Sequence, residues 1–281
     1  MNKKLIVANW KNHPDTLAEA EGILEFTDNY LGSLDDREFS SPTLRSGSRL
    51  LNVGIVFCPP FIFIEEVAKI LKMSHFEHQA FLGAQDIAIE DEGALTGEIS
   101  GPMLEKLGVR YVIIGHSERR WKLGESDEVV NKKLKAALKN ELIPIVCIGE
   151  KSRDDNFSAG GGPASGWKKF LEEQVLSTFA GLSADEVGKC IIAYEPVWAI
   201  STNPNARPDT PSSALESIHI IRDFLIENFK LKIENSPKVL YGGSVNSKNA
   251  ADFLKEKEIN GVLIGGASVN KEEFVKILGC I

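Results

Sequence analysis

Residues 111–150 read YVIIGHSERRWKLGESDEVVNKKLKAALKNELIPIVCIGE, and this stretch holds one complete repeat of the fold. Tyr111–Ile114 and Pro144–Ile148 are short, apolar and rich in β-branched residues, the composition of buried strands. Between them Asp127–Lys139 carries a helical pattern. A strand, a helix and a second strand in that order make two parallel strands joined by a crossover.

The same unit recurs outward along the whole chain. Similar runs stand at Leu5–Ala8, Val53–Phe57, Phe81–Ala84, Cys190–Tyr194, Lys238–Tyr241 and Gly261–Ile264, with starts 23 to 48 residues apart. Helical patterns fill the gaps, among them Thr16–Leu31, Trp167–Phe179, Pro211–Phe229 and Asn270–Leu278. Strands that are apolar almost throughout imply a sheet covered on both faces. Eight such units in 281 residues fit an α/β protein built as a single (β/α)8 barrel over residues 1–281. A doubly wound open sheet would put a glycine fingerprint at its first strand-to-helix turn, where this chain has Asn9-Trp10-Lys11-Asn12-His13. Three stretches interrupt the plan: surface insertions near 32–49 and 152–166, and a longer segment at 201–211.

Composition narrows the function classes. The chain is 43% hydrophobic and 26% charged, with a net charge of −8, which argues against nucleic acid or an anionic membrane surface as the main partner. Its longest apolar stretch, 54–64, is broken by Pro59-Pro60 and falls short of the roughly 20 residues that span a bilayer. Cys58, Cys147, Cys190 and Cys280 show no paired spacing and read as reduced core thiols. Without a signal segment, the expected location is the cytoplasm.

In a parallel barrel all strands end at one mouth, so chemistry is sought just after each run. Asn9 and Lys11 follow the first; Gln85 and Asp86 the third; His116, Ser117 and Glu118 the fourth; Glu150 the fifth; Glu195 the sixth; Gly242-Gly243-Ser244 the seventh; Gly265-Gly266 the eighth. Taken singly, Glu195 reads as a solvated strand end, His116 as a structural histidine and Lys11 as a surface lysine.

Read together they resemble the triosephosphate isomerase family, whose motifs stand here in order. They are Ala8-Asn9-Trp10-Lys11, Gly83-Ala84-Gln85, residues 96–100 (TGEIS), residues 115–120 (GHSERR), Cys147-Ile148-Gly149-Glu150, residues 193–199 (AYEPVWA), residues 241–245 (YGGSV) and residues 265–268 (GGAS). The resemblance implies a TIM barrel and an aldose–ketose isomerase, an intramolecular oxidoreductase of glycolysis and gluconeogenesis. Its substrate is a phosphorylated triose, dihydroxyacetone phosphate or D-glyceraldehyde 3-phosphate, handled through an enediolate with no cofactor and no metal. It also implies a homodimer with Thr96 at the contact.

Moving a proton between adjacent carbons requires a base, an electrophile at the carbonyl and a cation. Glu195 is the candidate base, made more basic where a closed lid desolvates it. His116, at a helix start whose dipole disfavours imidazolium, is the candidate neutral electrophile. Lys11 supplies positive charge, and the Asn9 amide can donate to the substrate oxygen. Ser244, Gly265 and Gly266 are candidates for the phosphate, with the N-terminus of the Asn270–Leu278 helix facing it. Ser201, at a position where the family has glycine, offers a further N–H from a lid about three residues longer than usual.

Glu118, Arg119 and Arg120 read as an ion-pair scaffold behind the site, and Cys147 as a packed thiol. The phosphate-loop-like stretch 161–168, His75-Phe76-Glu77-His78 and the sequon Asn156-Phe157-Ser158 carry no assigned function. Two other readings stay open here: an isomerase of a four-carbon sugar phosphate using the same site, and a catalytically silent barrel acting as a binding protein.

Overall fold

The computed structural model of the chain describes residues 3–39, 53–73, 79–154 and 166–281, with the side chains of 34–39 left aside. Eight parallel strands close into a barrel in chain order: β1 (Lys4–Asn9), β2 (Val53–Cys58), β3 (Ala80–Ala84), β4 (Tyr111–Ile114), β5 (Ile143–Ile148), β6 (Ile191–Tyr194), β7 (Lys238–Tyr241) and β8 (Gly261–Ile264). Closure comes from β1, which pairs with β2 on one side and β8 on the other.

Helices α1 (Leu17–Phe39), α2 (Ile64–Met73), α3 (Gly101–Lys106), α4 (Ser117–Lys122), α5 (Asp127–Lys139), α6 (Gly166–Thr178), α7 (Ala184–Gly188), α8 (Pro211–Phe229) and α9 (Ala250–Leu254) lie between the strands, and α10 (Lys271–Leu278) follows β8. Polar caps set several of their starts. Ser126 accepts the Val129 N–H before α5, and Thr210 accepts the Ser213 N–H before α8, which has Pro211 in its first turn.

Two cores follow from the alternation of strand residues. Leu5, Val7, Ile113, Ile145, Cys147, Ile191, Ala193, Leu240 and Leu263 fill the barrel interior. Their neighbours Ile6, Ala8, Val146, Ile192 and Tyr194 face the helices in the larger cluster. The same alternation sets up the mouth. After Leu5 and Val7 the next inward position is Asn9, and after Ile191 and Ala193 it is Glu195.

The first insertion begins differently from the sequence expectation. Residues 32–39 continue α1 as helix, and the Ser33 hydroxyl turns back onto the Tyr30 carbonyl at 2.7 Å, so the serine does not end it. Residues 40–52 lie outside the described residues, as do 155–165 with the sequon and most of the phosphate-loop-like stretch, and 75–78. From the described part of the second insertion, Arg153 reaches inward to the buried Glu150 and to the Ser213 carbonyl on α8. Cys58, Cys147, Cys190 and Cys280 are free thiols, the first three buried. Among the described residues no helix is long and apolar enough to cross a membrane.

Candidate active site

Glu195 emerges from β6 almost fully buried, 2% exposed, with both carboxylate oxygens engaged. Its Oε1 is 3.0 Å from His116 Nε2, and its Oε2 accepts the Ser117 N–H at 2.9 Å. His116 caps α4, and its Nδ1 accepts the Glu118 N–H at 3.2 Å. An Nδ1 that accepts carries no proton, so this arrangement assigns the ring hydrogen to Nε2, where a neutral imidazole donates to Glu195. Burial pushes the Glu195 carboxyl up, but the His116 ring, the Ser117 N–H and Lys11 outweigh it. The net position is below the ordinary glutamate value.

Lys11 sits in the left-handed region with φ 55°, a conformation a non-glycine residue adopts only when held there. Gln85 holds it by donating to the Lys11 carbonyl at 2.8 Å and to the Cys58 carbonyl at 2.9 Å. The Lys11 N–H goes to Asn9 Oδ1 at 3.0 Å, which leaves the amide NH2 of Asn9 as the end available to a ligand. Lys11 Nζ meets Glu118 Oε1 at 2.8 Å. Opposite, Gly265 leaves room for this side chain: a Cβ there would stand 3.0 Å from Lys11 Cε.

Asn9, Lys11, His116, Glu195, Ser201, Ser244, Gly265 and Gly266 all line one cavity of about 360 Å³ at the C-terminal mouth. Every site residue expected from sequence is therefore placed around it. Thr202, Val245, Asn246 and Ala267 line it too and were not singled out. Among supporting groups, Gln85 and the Ser117 N–H received no role from sequence; their places just after β3 and β4, within the quoted motifs, were the available signal. Glu118 and Arg119 do form the ion-pair scaffold behind the site, Arg119 bridging Asp86 and Glu125 at 2.8 and 2.7 Å.

One expectation is corrected. The helix that starts beside Gly265-Gly266 is a short 3₁₀ turn, Gly266–Ser268, fixed by the Ser268 hydroxyl on the Gly265 carbonyl at 2.7 Å. The Asn270–Leu278 helix begins later, as α10, and the Asn270 side chain already accepts from the Glu273 N–H in its first turn.

The segment 201–210 folds onto itself. Asn203 N–H bonds the Ile200 carbonyl at 2.9 Å, and Arg207 N–H bonds the Trp198 carbonyl at 3.1 Å. The Ser201 N–H donates to Ser244 Oγ at 2.7 Å, joining this segment to the loop after β7. At its base the Trp198 indole donates to Glu150 Oε1 at 2.8 Å, an oxygen that also receives the Tyr194 hydroxyl at 2.8 Å. Burial pushes the Glu150 carboxyl up against these donors. Cys147 is packed in the interior, and burial first, then Glu195, pushes its thiol well up, as befits an inert thiol.

The cavity thus joins a buried carboxylate, a neutral N–H donor 3.0 Å from it, an ammonium group and a glycine-lined wall. That set can take a proton from a carbon beside a carbonyl, polarise the carbonyl oxygen and hold an anion. Among the described residues no three of His, Cys, Asp and Glu meet in an arrangement that could hold a metal ion.

A family model described as triosephosphate isomerase matches residues 4–281. The chain is 40% identical to the triosephosphate isomerase of Aquifex aeolicus (strain VF5) over 276 residues, covering 98% of each protein. It is 38% identical to that of Carboxydothermus hydrogenoformans over 280 residues, covering 99% of this chain and 98% of the relative. Against that of Dictyoglomus turgidum it is 37% identical over 278 residues, 99% of each.

Proposed function

The chain belongs to the triosephosphate isomerase family and interconverts dihydroxyacetone phosphate and D-glyceraldehyde 3-phosphate, and from that premise we propose how its residues divide the work. Glu195 is the base that takes a proton from the carbon beside the carbonyl and returns it to the neighbouring carbon. His116 donates from Nε2 to the carbonyl oxygen and moves the proton between the two oxygens of the enediolate. Lys11 and the Asn9 NH2 stabilise the charge that develops there, and Ser201, Ser244, Gly265 and Gly266 hold the phosphate.

What carries this reading is the meeting of Glu195 and His116 at 3.0 Å on the wall that Lys11 also lines. The arrangement also explains how the base is strengthened. To reach substrate, Glu195 must leave the Ser117 N–H and the His116 ring, the groups that hold its pKa down. Burial then acts with less opposition, and the carboxylate becomes more basic at the moment it is used.

Four-carbon specificity and a silent barrel are not favoured, because similarity to named triosephosphate isomerases extends over nearly the whole chain. We also assign the chain to one barrel domain with its insertions, to a homodimer and to the cytoplasm. Support for the dimer is an exposed segment, residues 92–98 around Thr96, together with the exposed apolar side chains Phe61, Ile62, Leu95 and Met103. Support for the cytoplasm is the four free thiols. Sedimentation at micromolar concentration is expected to show a dimer; an active monomer overturns that assignment.

The roles are tested by supplying dihydroxyacetone phosphate and following glyceraldehyde 3-phosphate and methylglyoxal together. Glu195→Gln is expected to lower kcat by about 10²–10⁴, the usual worth of a positioned base. A variant that keeps its turnover assigns the base elsewhere.

A further inference from the structure

The lid and its base contribute walls to two cavities that share no residue. Residues 200–202 line the catalytic one, whereas Trp198, Asn203, Asn205 and Arg207 line a second cavity of about 670 Å³ together with Lys151 and Ser152 of the loop after β5. The lining of this outer cavity holds two cations and no carboxylate, in a chain whose net charge is −8. A local excess of positive charge draws anions whatever the sign of the whole chain.

What marks the cavity is how its cations are held. Close by, Arg153 meets Glu150 at 3.1 Å and Glu216 at 3.0 Å, and Lys168 meets Glu216 at 2.9 Å, so those charges are neutralised within the chain. Lys151 and Arg207 pair with no carboxylate among the described residues, and each rests on a ring instead. Lys151 Nζ lies 4.1 Å from the centre of the Trp121 ring, and Arg207 Cζ 5.5 Å from that of Trp198. An aromatic face orients a cation and leaves its charge available. Between them, Ser152 Oγ accepts the Asp154 N–H at 3.1 Å, which leaves its own hydrogen to donate. The cavity is larger than the catalytic one of about 360 Å³, and its two cations match an anion with two charged groups.

We propose that the outer cavity binds a small anion carrying two phosphate groups, one on Lys151 and one on Arg207, and that this anion ties the lid to the loop after β5. Lys151 belongs to that loop and Arg207 to the lid, so an occupant that holds both bridges a moving part to a fixed one. Turnover requires the lid to open and to close, and a bridged lid therefore turns over more slowly. The catalytic cavity keeps its own occupant, since no residue is common to the two linings. The kinetic part of this inference rests on the reading that segment 201–210 covers bound substrate.

The test is steady-state kinetics of the full-length protein with dihydroxyacetone phosphate and inorganic pyrophosphate, at an ionic strength held constant with sodium chloride. Pyrophosphate that only competes at the catalytic phosphate wall raises KM and leaves kcat alone. In the outer cavity it is expected to lower kcat by about twofold or more. Arg207→Gln and Lys151→Gln are each expected to keep the parent's kcat without pyrophosphate and to need roughly tenfold more of it for the same fall, the loss of one hydrogen bond between charged groups. Arg207→Lys, which keeps the charge, is expected to keep the response. The indole N–H signals of Trp121 and Trp198 in NMR spectra are expected to shift with the midpoint at which kcat falls. A kcat that pyrophosphate does not lower, a fall that is the same in the parent and both Gln variants, or indole signals that stay in place overturns the proposal. A sugar bisphosphate titrated in parallel identifies the source: it acts at lower concentration than pyrophosphate where the occupant is a phosphorylated metabolite, and at higher concentration where it is inorganic. Glu195→Gln in the same assay separates the two levels. Undiminished turnover there removes the site assignment itself, whereas an inactive Glu195→Gln beside a parent whose kcat ignores pyrophosphate removes only this inference.

Discussion

Lys4 and Lys11 stand at the two ends of β1 and are used in opposite ways. At the N-terminal mouth, Lys4 Nζ donates to the Glu256 carbonyl at 2.8 Å and the Ile259 carbonyl at 2.5 Å, closing the gap between β1 and the turn before β8. Its charge is consumed by backbone groups. At the C-terminal mouth, Lys11 is held at φ 55° by Gln85 and Asn9, and on the wall of the cavity its ammonium group meets the Glu118 carboxylate. Backbone strain is tolerated there because several neighbours determine it, and what it yields is a cation within reach of a ligand. The difference teaches that one strand can carry stability at its start and chemistry at its end, as the parallel barrel generally allows.

The sharpest break of this comparison is Lys11→Met. Removing a charge aimed at a developing oxyanion and at phosphate is expected to lower kcat/KM by about 10²–10³. Stability should change little, since the Glu118 partner is partly exposed and regains water. Steady-state kinetics with a urea unfolding curve on the same preparation decide it. A variant that unfolds more easily but keeps its rate would make Lys11 a structural residue like Lys4.

A smaller effect sharpens the electrostatic side of the C-terminal mouth. In His116→Gln the ring that helps to hold the Glu195 carboxyl down is gone, burial meets less opposition, and the Glu195 pKa is expected to rise. The sign for stability follows. A carboxyl held below its unfolded value adds stability at neutral pH, and that contribution is lost as the pH falls through the folded value. The variant should lack it and meet acid unfolding at higher pH than the parent. Carbon NMR titration of the labelled glutamate carboxyls reads the shift directly, and an unchanged or lower value in the variant refutes the assignment.

Much of this contrast was legible in the sequence, for physical reasons. Tyr111–Ile114 and Gly261–Ile264 are strands residue for residue, because a strand buried on both faces has no polar positions to blur its limits, and Lys238–Tyr241 matches too although its first residue is exposed. β1 extends to Lys4 and Asn9, where polar residues pair in the ladder with Val53 and Cys58 and hydropathy gives no sign. Asn9, Lys11, His116 and Glu195 could be set at one mouth because strand ends in a parallel barrel meet there, and their roles came from the family resemblance of the motifs around them. Several features were not. The φ of Lys11 depends on Gln85, 74 positions away, and its ion pair on Glu118, 107 away. The 3₁₀ turn at Gly266 depends on one hydroxyl reaching back to the Gly265 carbonyl, and the helical residues 32–39 carry the serine and charge of a loop.

The smallest expected effect comes from the other lysine and tests the comparison from its quiet end. Lys4→Met keeps the side-chain stem, which covers apolar surface, and deletes the two donors to the Glu256 and Ile259 carbonyls. Ile259 is fully buried, so its carbonyl is left without a donor and the cost is that of an unpaired buried acceptor, about 1–3 kcal/mol. The barrel should unfold at lower urea concentration with an unchanged slope, since neither the native surface nor the unfolded chain is much altered. Turnover should be untouched, because Lys4 and the catalytic mouth lie at opposite ends of strands that the packed interior of Leu5, Val7, Ile145 and Leu263 keeps rigid. A fall in kcat/KM beyond about twofold, at a temperature where the variant is fully folded, would show that the two mouths communicate and that the division of labour along β1 is incomplete.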